Sequence, residues 1–154
     1  MMNTYQVFQV RFLSALEFSG PEQTGLDAMT LSYPAGADYS QVEFSIMFIL
    51  YPSEAREAMQ MSDAEFLEYA RISFLANGGT PDELKIRNVL GQDVEFQATQ
   101  KVIPAPGLQE AGIIALPDGN SLVIGFDFSE KYPEEDAEKH MSEILQSLEE
   151  ISAE

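Results

Sequence analysis

A chain of 154 residues with 45% hydrophobic content has the size and apolar share of one domain with its own core, and it lies far from the composition of disordered chains. It contains no cysteine, which excludes disulfide scaffolds, thiolate nucleophiles and cysteine-ligated zinc or iron–sulfur sites. A formal net charge of −18 disfavours nucleic-acid phosphates and anionic lipid heads as partners; it would attract and steer a basic protein, and it equally serves plain solubility.

The opening stretch MMNTYQVFQVRFLSALEF lacks a basic region followed by an uninterrupted apolar run and a small-residue cleavage site, and no segment reads as a membrane span. The expected location is therefore cytoplasmic, unless the chain is a mature form already trimmed of a leader. Within that stretch Tyr5–Phe12 alternates, with Phe8, Val10 and Phe12 on one side and Val7, Gln9 and Arg11 on the other, which predicts one half-buried strand. SGPEQTG, residues 19–25, is built of turn residues and reads as a loop. AMTLSYP predicts a short strand stopped by Pro34, AGADYSQ another loop, and Val42–Tyr51 a central strand covered on both faces at its far end.

PSEAREAMQM suits a short helical turn, and a longer helix is predicted over 62–79. There Ser62 and Glu65 make the capping-box pattern, Phe66, Leu67, Ala70 and Phe74 form one apolar stripe, and Asn77-Gly78-Gly79 supplies a left-handed stop. LKIRNV follows, with Leu84 and Ile86 (Val89 a further candidate) alternating against Lys85, Arg87 and Asn88. After a break at Gly91-Gln92-Asp93, Val94, Phe96 and Ala98 alternate against Glu95 and Gln97. VIPAPG is a proline-stiffened link.

IIALPDGNSLVIGF then places two apolar runs, Gly112–Leu116 and Ser121–Phe128, around a turn whose Pro117, Asp118 and Gly119 are turn formers. Leu122, Val123 and Ile124 are apolar to both sides, so this strand is expected to be covered on both faces. The last predicted helix starts at Pro133 with Glu134, Glu135 and Asp136 in its first turn, and carries Ala137, Met141, Ile144, Leu145, Leu148 and Ile151 as a buried stripe. The order of elements predicts an α+β domain: an antiparallel sheet with helices packed on its faces.

Reactive groups are scarce. The single histidine, His140, sits at the edge of the last helix's apolar stripe; one histidine builds neither a two-histidine metal site nor a zinc-protease motif, and no G-x-S-x-G elbow accompanies it. NGGTPDELK lacks the spacing of a phosphate-binding loop. Glu134, Glu135, Asp136 and Glu138 resemble a cation cluster, yet acids within about one helical turn point in different directions and read first as a solvated helix start. Asp118 and Asn120 read as turn residues. Met59 and Met61, soon after Tyr51, either fill the join between strand and helix or, if exposed, line an adaptable groove for a peptide or helix.

The stretches FSIMFILYPSEAREAMQMSDAEFLEYARISF, VLGQDVEFQAT, GIIALPDGNSLVIGFDF and EDAEKHMSEILQSLEEI together resemble the Mog1/PsbP-like domains, including the DcrB-related bacterial group. In that family a glycine opens a sheet hairpin, a second hairpin follows, and the final helix ends near a phrase that here is Ile144-Leu145-Gln146-Ser147-Leu148. The resemblance covers most of the chain after about residue 29. It implies an α/β/α sandwich with a central, mainly antiparallel sheet flanked by helices, and mainly non-enzymatic relatives: photosystem assembly factors, a binder of a nuclear-transport GTPase, and cytoplasmic chaperones for secreted toxins. No motif carries over any one partner.

Residues and resemblance together set the expectations: one domain spanning 1–154, no catalysis and no cofactor. The first is an adaptor or chaperone whose acidic face, with Met59, Met61, Glu134, Glu135, Asp136 and Glu138 as candidate contacts, meets a basic or apolar segment of another protein. A small-molecule or lipid binder with a pocket between sheet and helix near Met59 and Met61 is the alternative. A hydrolase using carboxylates alone ranks last, because a facing acid pair in a deep cleft would be needed.

Overall fold

A computed structural model of the chain describes residues 2–25, 27–38, 41–58, 60–62, 65, 80–101, 107–116 and 119–151. The alternating segment at the N-terminus does not run straight, as its pattern predicts, but folds into a hairpin. Strand β1 (Asn3–Val7) pairs antiparallel with β2 (Val10–Ser14), Val7 facing Val10. Only Phe8 and Gln9 make the turn, and Phe8 adopts φ 55, a conformation that bulky side chains rarely take. The ring of Phe8 packs against the core, which holds it there. No glycine or asparagine marks this turn, so local sequence carries no signal for it.

Residues 19–25, expected as a loop, form an edge strand, β3 (Ser19–Gly25). It pairs with β4 (Ala28–Tyr33) through a ladder interrupted by two register shifts. Pro21 has no N–H to give, and an edge strand with bulges is where proline is tolerated. Beyond β4 the sheet continues with β5 (Phe44–Tyr51), β9 (Ser121–Ser129), β8 (Gly107–Ala115), β7 (Gln92–Lys101) and β6 (Thr80–Val89), seven strands among the described residues, each paired antiparallel with its neighbours. β6 and β7 are joined at Leu90-Gly91, both with positive φ, so β7 already begins at Gln92, where the sequence suggests a break. β8 also starts earlier than its apolar run: Gly107–Ala111 belongs to the ladder although Gln109 and Glu110 are polar.

The β8–β9 hairpin lies inside this sheet, and residues 121–126 are all buried, as the two-sided apolar run predicts. On one face Leu122, Ile124, Phe126 and Phe128 join Phe44, Ile46, Phe48, Leu31 and Phe96 in the main core. The β1–β2 hairpin covers part of that face, with Phe12 stacked on Phe48 at 6.0 Å between ring centroids and Phe18 edge-on to Phe44 at 5.4 Å. On the opposite face Val123 and Ala111 are 1% exposed, so that side is covered too.

Two helices are described. α1 (Ser53–Ala58) is the expected short turn; its first N–H, at Ser53, donates to Asn120 Oδ1 at 3.0 Å, so the hairpin turn anchors it. α2 (Glu134–Ser147) buries Ala137, Met141, Ile144 and Leu145, as its spacing predicts, against the sheet and β2. It ends earlier than Ile151. Leu148 turns extended, and Glu149–Glu150 form β10, which pairs with β2 to make a second, three-stranded sheet in the order β1-β2-β10. Continuing that register, Ser147 would face Leu13; its hydroxyl accepts the Leu13 N–H at 2.9 Å and contacts the Leu13 carbonyl at 3.2 Å, standing in for a ladder partner that the helix cannot offer.

The helix predicted over 62–79 lies outside the described residues except at its start. There Ser62 N–H donates to Glu65 Oε1 and Glu65 N–H to Ser62 Oγ, each at 3.2 Å, the reciprocal pattern of a capping box. The Ser62 backbone N–H first, and its hydroxyl second, hold the Glu65 carboxyl below its ordinary pKa.

Candidate functional site

The candidate contacts do not form one cluster. Met59 lies outside the described residues, and Met61 is half-buried just after the turn at Gln60. Glu134, Glu135 and Asp136 are exposed in the first turn of α2. The segment carrying Met61 leaves the sheet beyond Tyr51, which faces Ser121, whereas α2 starts beyond Phe128, which faces Phe44; these are opposite ends of the β5–β9 pair. The acids at the helix start have Tyr132 beside them. Desolvation first, then Tyr33, Asp136 and Glu43, push the Tyr132 phenol up to about 12. His140 is a half-buried helix residue whose Nδ1 lies 3.8 Å from Glu143.

Glu138 behaves differently from its acidic neighbours, because it belongs to a network that sequence reasoning missed. β6 turns Lys85, Arg87 and Val89 toward the core face and leaves Leu84 and Ile86 exposed at 46% and 62%, so the alternation holds for Leu84 to Arg87 but its apolar side lies outward, and Val89 parts from it. Arg87 reaches across β7, over the Phe96 ring at 6.0 Å, and grips Glu110 of β8 with Nε to Oε2 at 2.5 Å and Nη2 to Oε1 at 3.2 Å. Its other donors reach Glu138 on α2, at 3.2 and 2.5 Å, and Ser142 Oγ at 3.4 Å. Lys85 Nζ sits 3.8 Å from both carboxylates. Glu110 is 0% exposed, and a buried carboxylate persists only where donors of this kind meet it. This pull outweighs the apolar pattern and sets the facing of β6.

Burial works against the Arg87 charge, but hydrogen bonds to Glu110 and Glu138, and the charges of both, outweigh it and raise the Arg87 pKa. The Arg87 hydrogen bonds, joined by the charges of Arg87 and Lys85, hold Glu138 below its ordinary range, against a smaller effect of burial. Two carboxyls therefore converge, yet not as a catalytic pair. An acid catalyst keeps its proton at working pH through a raised pKa, and Glu138 is shifted the other way. The guanidinium occupies the space between the two carboxyls, where a substrate bond would have to lie. The arrangement ties β6, β8 and α2 together. Among the described residues no group of three acidic or histidine side chains is placed to hold a metal ion.

Beside the network, a cleft of about 590 Å³ opens between β6 and α2, lined by Ile86, Asn88, Leu90, Ser142, Leu145 and Leu148 among others. On the other side of the sheet a hollow of about 370 Å³ is lined by Asp93, Glu95, Ile113 and Ala115. No helix among the described residues is long and apolar enough to cross a membrane.

No protein-family description and no curated protein matches the sequence. Solved structures do match the fold. A mutant of the protein Mog1 superposes with a TM-score of 0.61 at 9% identity, covering 99% of this chain and 97% of that one. The Saccharomyces cerevisiae Ran-binding protein Mog1p gives a TM-score of 0.61 at 9% identity, covering 99% of this chain and 96% of its own. The chain thus has the Mog1/PsbP-like fold expected from its quoted stretches, an α+β arrangement dominated by antiparallel sheet.

Proposed function

We propose that this Mog1-like chain is a non-catalytic protein-binding module of the cytoplasm, an adaptor or chaperone whose acidic surface receives a basic or apolar segment of another protein. The observation that carries this reading is the contrast within α2. Glu138 is held by Arg87, whereas Glu134, Glu135 and Asp136, one turn earlier, stand exposed at the helix start. Exposed acids on a chain of net charge −18 steer a basic partner and raise its association rate. The likeness in fold to a Ran-binding protein adds support. Met61, half-buried beyond α1, and Met59 contribute an adaptable apolar edge in this reading. The α/β/α sandwich belongs to the proposal too, supported by the cap at Ser62 and Glu65 and by the buried Val123 and Ala111.

The test is salt-dependent binding to a lysine-rich peptide, measured by fluorescence anisotropy for the parent chain and for the triple charge reversal Glu134→Lys, Glu135→Lys, Asp136→Lys. The expected result is affinity that falls with salt and weakens further in the variant. Binding that ignores both salt and the reversal would refute the acidic face as the contact. A second reading, a small-molecule or lipid binder, is favoured by one observation, the cleft of about 590 Å³ between β6 and α2, which Met61 does not line and which therefore lies away from the place expected near Met59 and Met61. Its mark would be an apolar compound that extracts with the purified protein and leaves when Leu90→Trp fills the cleft.

A further inference from the structure

The two edges of the seven-stranded sheet are unlike. β3 is blunted by Pro21 and by two register shifts, the devices by which edge strands refuse partners. β6, the other edge among the described residues, has Pro81 and one register shift at its start, between Pro81 and Leu84, and from there runs in unbroken register from Leu84↔Gln97 to Val89↔Gln92. In an antiparallel ladder only alternate residues bond to the neighbouring strand, so the intervening N–H and C=O groups of 84–89 point away from β7 along a regular edge. Leu84 and Ile86 stand exposed beside that edge on the outer face. On the other side lies the cleft against α2, floored by Leu145 and Leu148. An incoming strand would alternate its side chains between these two places.

We propose that β6 is a strand-addition site, taking an extended, basic segment of another protein as an eighth strand, with its alternate side chains in the cleft against α2 and over Leu84 and Ile86. The inference rests on the proposed protein-binding function and assigns it a place. Charge selects the occupant. Glu95 faces Ile86 and Asp93 faces Asn88 on the outer face, where both line the adjoining hollow, whereas the strand's cations Lys85 and Arg87 are turned inward to Glu110 and Glu138. A second copy of the chain would bring another −18 charges and the same two acids to the edge, so a basic partner is preferred. Main-chain hydrogen bonds supply affinity in this mode, and the alternating pockets supply selectivity.

The experiment uses the full chain with a short peptide alternating lysine and valine, and the same peptide N-methylated at alternate residues so that one edge lacks donors. Hydrogen exchange is expected to show the unmethylated peptide protecting amides within 84–89, and the methylated peptide is expected to bind about tenfold more weakly or less. Ile86→Glu separates packing from charge. It adds an acid, so attraction alone would tighten binding to a lysine peptide, whereas loss of the covered apolar side chain weakens it about tenfold. Ile86 is largely exposed, so the variant retains its fold, checked by an unchanged circular dichroism spectrum. Protection confined to the helix start at 134–136 would overturn the β6 site and leave the protein-binding function standing. Failure of both peptides to bind at low salt would overturn both. A dimer by sedimentation that Ile86→Glu dissociates would overturn the basic partner in favour of a second copy.

Discussion

Arg87→Met removes the guanidinium that meets Glu110 while keeping an unbranched apolar side chain on β6. Glu110 is 0% exposed and Arg87 9%, so the pair is one that water cannot replace when one member is lost. Breaking a buried pair from one side costs about 3–5 kcal/mol, a large part of the roughly 5–15 kcal/mol that holds a domain folded. Lys85, already 3.8 Å from Glu110, offsets some of this, which favours the lower end of the range. With a urea m-value of about 1–3 kcal/mol per molar, a loss of about 3 kcal/mol should lower the midpoint by about 1–3 M. The double variant Arg87→Met, Glu110→Met is the discriminating measurement: with no charge left to strand, stability should recover most of the loss, because apolar replacement of both members of a buried pair is often neutral or better. Glu138→Gln, at a site 49% exposed, should cost no more than about 1 kcal/mol. Urea unfolding followed by circular dichroism checks all three. An Arg87→Met midpoint within about 0.5 M of the parent, or a double variant as unstable as the single, would refute the claim that the buried carboxylate governs this end of the sheet.

Gly112→Ala should lower thermal stability, because a Cβ there would sit 2.7 Å from two atoms of the Phe96 ring, which is itself fully buried; overpacking of this kind costs about 1–3 kcal/mol, read as a fall in melting temperature. Tyr132 should ionise near 12 rather than 10 in an ultraviolet titration. Since its folded pKa lies above the unfolded value, its contribution to stability is complete below about pH 10 and is lost as pH rises toward 12, so Tyr132→Phe should lessen alkaline unfolding in that window.

The elements legible in the sequence are those whose cause is local. The stripe Ala137, Met141, Ile144 and Leu145 specifies a helix with one buried face, and the acids after Pro133 specify where it starts. Ser62 and Glu65 sit three residues apart, and that spacing alone places each side chain at the other's N–H. Leu122 to Ile124, apolar to both sides, could belong only to a strand covered twice. The candidate site was legible only in part: the exposed acids at the start of α2 are apparent from composition and capping, whereas the different fate of Glu138 is not.

What tertiary structure alone decided are the features whose cause lies far along the chain. Nothing near Phe8 announces a hairpin turn; it forms because Val7, Val10 and Phe12 all reach the core when the chain reverses there, and the positive φ is the strain that burial outweighs. Residues 19–25 form a strand because β4 offers an edge that tolerates proline and bulges. Arg87 turns inward because a carboxylate 23 residues later on β8, and another 51 residues later on α2, meet above the Phe96 ring. Alternation tells that a strand has two faces, but it is blind to which one is buried when a long cation can find a partner in the core. Local pattern thus determined α2, the capping box and the doubly covered β9, and composition the acidic character of this protein. Long-range pairing of a buried charge decided the facing of β6, and with it the apolar side chains this strand presents.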